Sequence, residues 1–135
     1  MITGIDHIAI AVENLEPHIR FYRDVLGLSC QGIEEIPDQK VRVAVFAAGG
    51  VRLELLEPMR PDSPISRFLE KRGEGLHHVA FSVENIVRAL REVAEKNVAL
   101  IDRQPRTGEG GKQIAFLHPK TTGGVLIEFC ERPSG

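Results

Sequence analysis

The chain has 135 residues, of which 42% are hydrophobic and 27% are charged, and its formal net charge is −2 at pH 7. This length allows one domain, or two small halves with a common core, and the balanced charge gives no basis for a nucleic-acid or membrane-surface partner. Apolar runs stay short of the ~18 residues of a membrane-spanning helix, so we expect none. The sequence starts directly in a strand pattern, so we expect no signal peptide, and its two cysteines, Cys30 and Cys130, are too few for a disulfide framework. We therefore expect a cytoplasmic protein.

In the first half, the hydrophobic pattern predicts one strand, one helix and then three strands. The helix follows Asn14, a residue type that caps helices, and ends at Gly27. The strands are expected at about 3–12, 28–36, 40–48 and 51–57. Residues 61–74 then predict a turn, a short helix and a linker.

The second half predicts the same order of elements. Its helix follows Asn85, and its strands are expected at about 76–83, 98–102, 112–117 and 125–131, of which 98–102 is the weakest. The sequence also repeats: DHIAIAVENL (6–15) and HHVAFSVENI (77–86) share five residues in ten columns, and VRLELLE (51–57) parallels VLIEFCE (125–131). The chain is thus predicted to be one α+β domain, residues 1–135, built from two tandem βαβββ modules at about 1–60 and 75–135.

Four polar residues occupy equivalent positions in the two modules. Each module has a histidine on its first strand, His7 or His78, and a glutamate on its last strand, Glu54 or Glu128. Because side chains alternate along a strand, all four fall on the face with small neighbours, away from the bulky apolar face. Buried carboxylates need a partner or a metal, so the repeated placement favours a site for one divalent cation. We expect the modules to form a curled mixed sheet around this metal-binding cleft.

The alternative for any one of these residues is a structural role. A lone histidine in a strand is more often a hydrogen-bonded core residue, and a lone glutamate is more often solvated. The other histidines do not fit the pattern: His77 points to the opposite face, His18 lies on a helix and His118 lies in a turn. Because the histidine and the glutamate occur at equivalent positions in both modules, a metal-binding role is favoured over a purely structural one.

Five segments carry a resemblance to a known family. They are IDHIAIAVENL (5–15), FYRDVLGL (21–28), LELLEP (53–58), GEGLHHVAFSVENI (73–86) and GGKQIAFLHPKTTGGVLIEF (110–129). Over essentially its whole length the chain resembles the vicinal oxygen chelate superfamily, the glyoxalase and bleomycin-resistance fold, and within it the methylmalonyl-CoA epimerases. The resemblance implies the ligands His7, His78 and Glu128, with Glu54 at a fourth position, around one Co²⁺, Mn²⁺, Zn²⁺ or Ni²⁺ ion. It also implies an acyl-CoA substrate and a homodimer.

The implied reaction is the epimerisation of (2R)- and (2S)-methylmalonyl-CoA, by removal and return of the α-proton through an enolate that the metal chelates. By the resemblance, Glu128 is a catalytic base as well as a ligand. Inversion most simply needs a second base on the opposite face of the substrate, yet Val43 stands where some relatives have a glutamate. Glu34, Glu35, Glu54, a water or a lysine remain open for this role.

Basic residues near the predicted mouth of the cleft are candidates for substrate binding. Lys112, Lys120 and Arg106 lie in or beside glycine-rich loops, and we expect the two lysines to meet CoA phosphates or the substrate carboxylate. The TGEGGKQ stretch (107–113) lacks the GK[ST] ending and helix of a P-loop, and is expected to form a mobile lid or a hairpin turn.

Three other functions share parts of this pattern. A glyoxalase of the lactoylglutathione lyase type uses the same metal and proton-transfer logic on a glutathione hemithioacetal. A metal-dependent dioxygenase holds Fe(II) with two histidines and one carboxylate, and a fourth ligand at Glu54 argues against it. A binding protein of the bleomycin-resistance type needs no such ligand set.

Overall fold

Both halves of the chain form the predicted βαβββ order of elements. The structure, a computed structural model, describes residues 1–133. The strands are Ile2–Ala11 (β1), Ser29–Ile36 (β2), Val41–Ala48 (β3), Val51–Pro58 (β4), Gly75–Val83 (β5), Arg106–Thr107 (β6), Gln113–Leu117 (β7) and Ile127–Glu131 (β8). The α-helices are Leu15–Arg20 (α1), Pro64–Arg72 (α2) and Ile86–Glu95 (α3). None of the helices in residues 1–133 is long and apolar enough to span a membrane.

The chain divides into two compact units. The N-terminal unit is His7–His77, and the C-terminal unit combines Met1–Asp6 with the chain from His78 onward. In the N-terminal unit the strand order is β2-β3-β4-β1, with β1 parallel to β4 and the other neighbours antiparallel. In the C-terminal unit the order is β5-β8-β7-β6, with β5 parallel to β8. Each unit therefore has a mixed sheet, as predicted, and α2, from the predicted linker, belongs to the N-terminal unit.

The two faces of the N-terminal sheet have separate cores. One face packs under α1 through bulky side chains that include Leu15, Ile19, Phe46 and Leu55. The opposite face carries an apolar cluster that includes a residue of α2, and its buried members are Ala9, Ala11, Ile36, Val41, Val43, Val45, Leu56 and Ile65. His7 and Glu54 belong to this second face by alternation, and we call it the site face of the N-terminal unit.

The C-terminal sheet is organised in the same way. Its bulky face packs against α3 through Val83, Ile86, Ala89, Leu90, Ala115, Leu117 and Phe129. The opposite face carries Ala80, Ile114 and Cys130, with Phe116 packed against them. This is the site face of the C-terminal unit, because alternation places His78 and Glu128 on it. In both units the bulky faces thus pack under the helices, as the alternation of large and small residues predicts.

The predicted strand at 98–102 does not form. Leu100 makes only an isolated bridge to Leu117. The strand that pairs with β7 on the side away from β8 is instead the short strand β6. The Asp102 carboxylate accepts the Phe116 N–H at 2.9 Å, so a side chain takes the place of a strand carbonyl. The weak apolar pattern of 98–102 therefore reflects packing beside β7 rather than a strand ladder.

A glutamate at the end of each last strand caps the helix of its own unit. Leu15 N–H at the start of α1 donates to Glu57 Oε2 at 2.8 Å, and Ile86 N–H at the start of α3 donates to Glu131 Oε1 at 2.7 Å. Asn85 also caps α3, accepting from Arg88 N–H at 3.0 Å, whereas the Asn14 side chain makes no capping bond with the residues that the structure describes. A carboxylate at a helix N-terminus accepts a hydrogen bond from an otherwise unpaired N–H, and its negative charge interacts favourably with the helix dipole.

We expect Glu131→Ala to lower the free energy of unfolding by about 1 kcal/mol, because it removes a cap and a favourable charge at the start of α3. Urea denaturation followed by circular dichroism measures the change. Glu92→Ala is the matched control. Glu92 lies within α3, and its Oε1 pairs with Arg88 Nε at the surface, at 3.2 Å. Such exposed pairs contribute little. Equal losses in the two variants would contradict a capping role for Glu131.

Candidate active site

Strands β1 and β4 bring His7 and Glu54 together on the site face of the N-terminal unit. Their parallel register places Ala9 opposite Glu54, and His7, two residues before Ala9, points to the same face. His7 Nδ1 lies 3.4 Å from Glu54 Oε2, and the two side chains are 4% and 5% exposed. Arg52 Nη2 lies 3.4 Å from the same oxygen, so the Glu54 carboxylate has a cation beside it.

The C-terminal unit repeats the arrangement with His78 and Glu128. Ala80 lies opposite Glu128 in the parallel register of β5 and β8, and His78 is again two residues before that alanine. His78 Nε2 lies 2.8 Å from Glu128 Oε1, and the Phe116 ring meets the imidazole edge-on at 5.2 Å between centroids. Each unit therefore buries one histidine–glutamate pair, at the positions that the sequence repeat predicts.

The donor set of each pair suits a divalent cation. Imidazole nitrogen and carboxylate oxygen bind borderline ions such as Zn²⁺ at about 2.0–2.2 Å, which puts two such atoms about 3.0–3.4 Å apart on one ion. The nitrogen–oxygen separations within the pairs, 3.4 Å and 2.8 Å, are close to this range. A buried carboxylate also costs free energy unless it is paired or bound to a cation. The residues of each pair thus fit the implied metal.

The two glutamates have different neighbours on their own strands. Two residues before Glu54, Arg52 brings a positive charge. Two residues after Glu128, the Cys130 thiol donates a hydrogen bond to Glu128 Oε2 at 2.9 Å. Neither contact was predicted from the sequence, although residues two apart in a strand share a face and this spacing indicates such neighbours.

Lys112, a predicted substrate contact, lies in a buried ion network of the C-terminal unit. Its Nζ donates to Asp6 Oδ2 at 2.7 Å and lies 3.2 Å from Glu109 Oε2, while Arg132 Nη2 donates to Asp6 Oδ1 at 2.9 Å. The Lys112 and Asp6 side chains are only 4% and 0% exposed. Two cations and two carboxylates therefore balance one another within this network.

The glycine-rich loop at 108–111 packs on the site face beside β7. A Cβ atom at Gly108 would lie 2.8 Å from Cγ2 of Ile114, so only glycine fits this approach. The Glu109–Lys112 ion pair joins the loop to the residue that precedes β7. Packing against Ile114 and the ion pair with Lys112 therefore both hold the loop beside the strand that follows it.

The other two basic candidates lie nearer the surface. Lys120 is exposed on a 3₁₀ turn after β7, where its N–H donates to His118 Nδ1 at 3.0 Å. Arg106 on β6 pairs with Asp102, at 3.2 Å between Nε and Oδ1. Lys120 is the more accessible of the two lysines predicted to bind substrate.

The register of β2 and β3 separates the candidates for the second base. Val43 is 1% exposed inside the apolar cluster of the site face. Glu34 lies directly opposite Val43, and directly paired residues share a face. Glu35 points the other way, with its Oε2 3.6 Å from Arg42 Nε. Glu34 therefore has its carboxylate on the site face, and Glu35 does not.

The histidines set aside in the sequence have other neighbours. The His77 ring packs edge-on against Phe68, with centroids 4.9 Å apart. His18 Nε2 lies 2.9 Å from Glu74 Oε2. The Glu13 N–H, and then His18, hold the pKa of the Glu74 carboxyl below its usual value. The contacts of Glu74 with His18 and with the Glu13 N–H thus join the segment before β5 to α1 and to the chain just before it, within the N-terminal unit.

The chain is similar to known proteins over most of its length. Residues 6–116 match the Glyoxalase/Bleomycin resistance protein/Dioxygenase superfamily. An uncharacterized protein of Bacillus subtilis, YqjC, is 50% identical over 131 residues, covering 97% of this chain and 93% of that protein. The mitochondrial methylmalonyl-CoA epimerase of Mus musculus is 40% identical over 126 residues, covering 93% of this chain and 71% of that protein.

A solved structure has the same fold along nearly the whole chain. It is a methylmalonyl-CoA epimerase in complex with methylmalonyl-CoA and NH4+, with a TM-score of 0.95 at 36% identity, covering 99% of this chain and 97% of that one. The duplicated α+β fold and the family predicted from the sequence are confirmed. The chain belongs to the methylmalonyl-CoA epimerase family of racemases and epimerases, within the glyoxalase, bleomycin-resistance and dioxygenase superfamily.

Proposed function

We propose that this protein epimerises methylmalonyl-CoA by removing and returning the proton on the carbon between the thioester and the carboxylate. The observation that carries the proposal is the repeated, buried histidine–glutamate pair, one in each unit. Family membership supplies the substrate class, since a related epimerase has been solved with methylmalonyl-CoA bound. A thioester and a carboxylate on one carbon offer two oxygens for a cation and one acidic proton for a base.

We infer that His7, Glu54, His78 and Glu128 together hold one divalent ion. The donor types and the separations within each pair support this set. When bound, the cation supplies positive charge for the substrate oxygen that becomes more negative as the proton leaves, an effect of several kcal/mol. The ion is Co²⁺, Mn²⁺, Zn²⁺ or Ni²⁺ in our proposal, because this mixed nitrogen and oxygen set suits all four.

Glu128 rather than Glu54 is the proposed base. Arg52 Nη2 lies 3.4 Å from Glu54 Oε2, so this carboxylate already has a cationic partner besides His7. Glu128 has instead a neutral thiol at the equivalent distance along its strand. The duplicated site is thus electrostatically unequal, and the glutamate without the arginine is better suited to proton transfer.

Glu34 is the proposed acid and base for the opposite face of the substrate. It shares the site face of the N-terminal unit with Glu54, through its register with Val43. Val43 itself carries no ionisable group, and Glu34 places a carboxylate opposite it on the neighbouring strand. Glu35 is directed to the opposite face and toward Arg42, which removes it from this role.

We expect Glu34→Gln to lower exchange of the α-proton by about 10²–10⁴-fold, because a general base is lost. The loss should affect one epimer only, since each base serves one face. Deuterium incorporation from D₂O, measured separately from the two epimers, gives the result. Glu35→Gln is the matched control and should behave as wild type. Equal behaviour of the two variants would remove Glu34 from the mechanism.

Binding of the CoA portion is assigned to exposed cations. Lys120 is accessible on its turn, and a phosphate oxygen is a natural partner for its ammonium group. The charge of Lys112 is already matched by Asp6 and Glu109. Lys112 is therefore proposed to support substrate binding by holding the loop at 108–111, without contacting the substrate itself. Arg106 remains a weaker candidate, since it pairs with Asp102.

The direct test is loss of the α-proton from methylmalonyl-CoA in D₂O, with and without a chelator. We expect the metal-loaded protein to incorporate deuterium and to stop when the ion is removed. Absence of exchange in metal-loaded protein would reject the function. Turnover of a glutathione hemithioacetal, or oxygen consumption with an Fe(II)-loaded sample, would point instead to a glyoxalase or a dioxygenase.

Two further properties belong to the same proposal. A homodimer is expected from the family, and light scattering decides the oligomeric state. A cytoplasmic location is supported by the two cysteines, neither of which forms a disulfide within the described residues.

A further inference from the structure

Cys130 is a buried group that the mechanism above does not use. It lies on β8, 1% exposed, in a small cluster with Ala80, Ile114 and Phe116. Its side chain is on the same face as Glu128, two residues earlier, and its Sγ is 2.9 Å from Glu128 Oε2. The Glu128 carboxylate is a strong acceptor for the thiol proton in this buried position.

The two oxygens of Glu128 have different surroundings. Oε1 lies 2.8 Å from His78 Nε2, on the side of the proposed ligand pair. Oε2 accepts the hydrogen bond from Cys130. Turning the carboxylate plane about its last torsion, which is normally broad, would break both contacts. The thiol therefore selects one orientation of the carboxylate.

In the N-terminal unit an apolar residue stands at the position equivalent to Cys130. Glu54 and Glu128 are 74 positions apart, and the same offset from Cys130 leads to Leu56, which is apolar and buried at 6% exposure. Leucine cannot donate a hydrogen bond to Glu54. The thiol thus distinguishes the glutamate proposed as the base from the glutamate proposed only as a ligand.

We propose that Cys130 is a positioning residue for Glu128: its thiol holds the plane of the carboxylate by binding one oxygen, while the other oxygen stays with His78. This inference rests on the proposed function. A hydrogen bond to an ionised carboxylate contributes enough to set its orientation, and a misplaced base loses much of its rate. The alternative is that Cys130 is only a small side chain that fills the cluster.

Infrared spectroscopy of the metal-free protein tests the contact itself. Cys30→Ala leaves Cys130 as the only thiol of the chain, because the sequence has two cysteines. The S–H stretch falls in a region clear of other protein bands and moves to lower wavenumber when the thiol donates. We expect a lowered band that shifts upward in Cys30→Ala/Glu128→Gln, since an amide is a weaker acceptor than a carboxylate. A band at the position of a thiol in an apolar solvent would overturn the inference.

Kinetics of metal-loaded variants test the consequence. Cys130→Ala should lower kcat by about 10- to 100-fold, as expected for one hydrogen bond to a charged group, with KM and metal content close to wild type. Cys130→Ser restores a donor and should recover most of the rate, whereas a packing role predicts similar loss in both variants. Cys30→Ala is the control and should retain full activity. Unchanged kcat in Cys130→Ala would overturn the inference.

The two measurements separate this inference from the proposed function. If wild-type protein fails to exchange the α-proton, the proposed function is rejected by that result alone. The S–H band still reports whether the thiol holds the Glu128 carboxylate, since it needs neither metal nor substrate. An active wild type with an unshifted S–H band rejects only the role of Cys130.

Discussion

His7→Ala and His78→Ala should each abolish epimerisation together with metal binding. Each variant removes one imidazole of the proposed ligand set and takes the histidine away from its glutamate, which lies at 3.4 Å for His7 or 2.8 Å for His78. The proposed cation would supply several kcal/mol to the reaction, and each 1.36 kcal/mol is a factor of ten, so we expect a loss of at least about 10³-fold. Metal analysis after loading with Zn²⁺, Co²⁺ or Mn²⁺ gives occupancy, and the exchange assay gives activity.

The neighbouring histidine provides the control for this experiment. His77 precedes His78 but packs against Phe68, so His77→Ala should keep its metal and most of its activity. Circular dichroism checks that each variant is folded. Full metal occupancy in both His7→Ala and His78→Ala would remove these residues from the ligand set and leave them with structural roles only.

Glu128→Gln should retain part of its metal and lose most of its epimerisation. The amide keeps an oxygen near the ligand position, but it cannot accept the α-proton. Loss of a general base costs about 10²–10⁴-fold, and metal occupancy is measured independently of turnover. Glu54→Gln is the matched variant: it should lose metal affinity to a similar extent but retain more activity per bound ion.

Exchange from each epimer assigns Glu128 to a face of the substrate. We expect Glu128→Gln to lose deuterium incorporation from one epimer and to keep part of it from the other, in the opposite sense to Glu34→Gln. Near-normal epimerisation by metal-loaded Glu128→Gln would show that Glu128 is a ligand only. A similar loss for both epimers would point to a single base that serves both faces.

The sequence predicted the features that depend on local alternation. Strand positions followed from the apolar pattern, and the faces of β1, β4, β5 and β8 followed from the two-residue period. The placement of His7 with Glu54 and of His78 with Glu128 follows because each histidine is two residues before an alanine that pairs with the glutamate. Repetition of the same spacing made the pattern visible in a single sequence.

Features that depend on distant partners were not predictable in the same way. Lys112 contacts Asp6, 106 residues away, and nothing near either residue indicates that contact. The caps from Glu57 and Glu131 need the last strand of each unit to lie beside its helix, across 42 and 45 residues. At 98–102, the local pattern favoured a strand, but Asp102 takes a hydrogen bond that a strand would use. Tertiary packing decides these cases.

The boundary between the two units in space differs from the boundary in sequence, and this limits how the chain can be divided. The first six residues belong with the chain from His78 onward, and Asp6 binds Lys112 and Arg132 there. A cut at 61–74 would leave a first fragment with a carboxylate separated from both cations, and a second fragment with two cations lacking that carboxylate. Separately produced halves should therefore be poorly folded. Mixing them should restore secondary structure, because residues 1–6 of the first fragment can then pack with the second fragment.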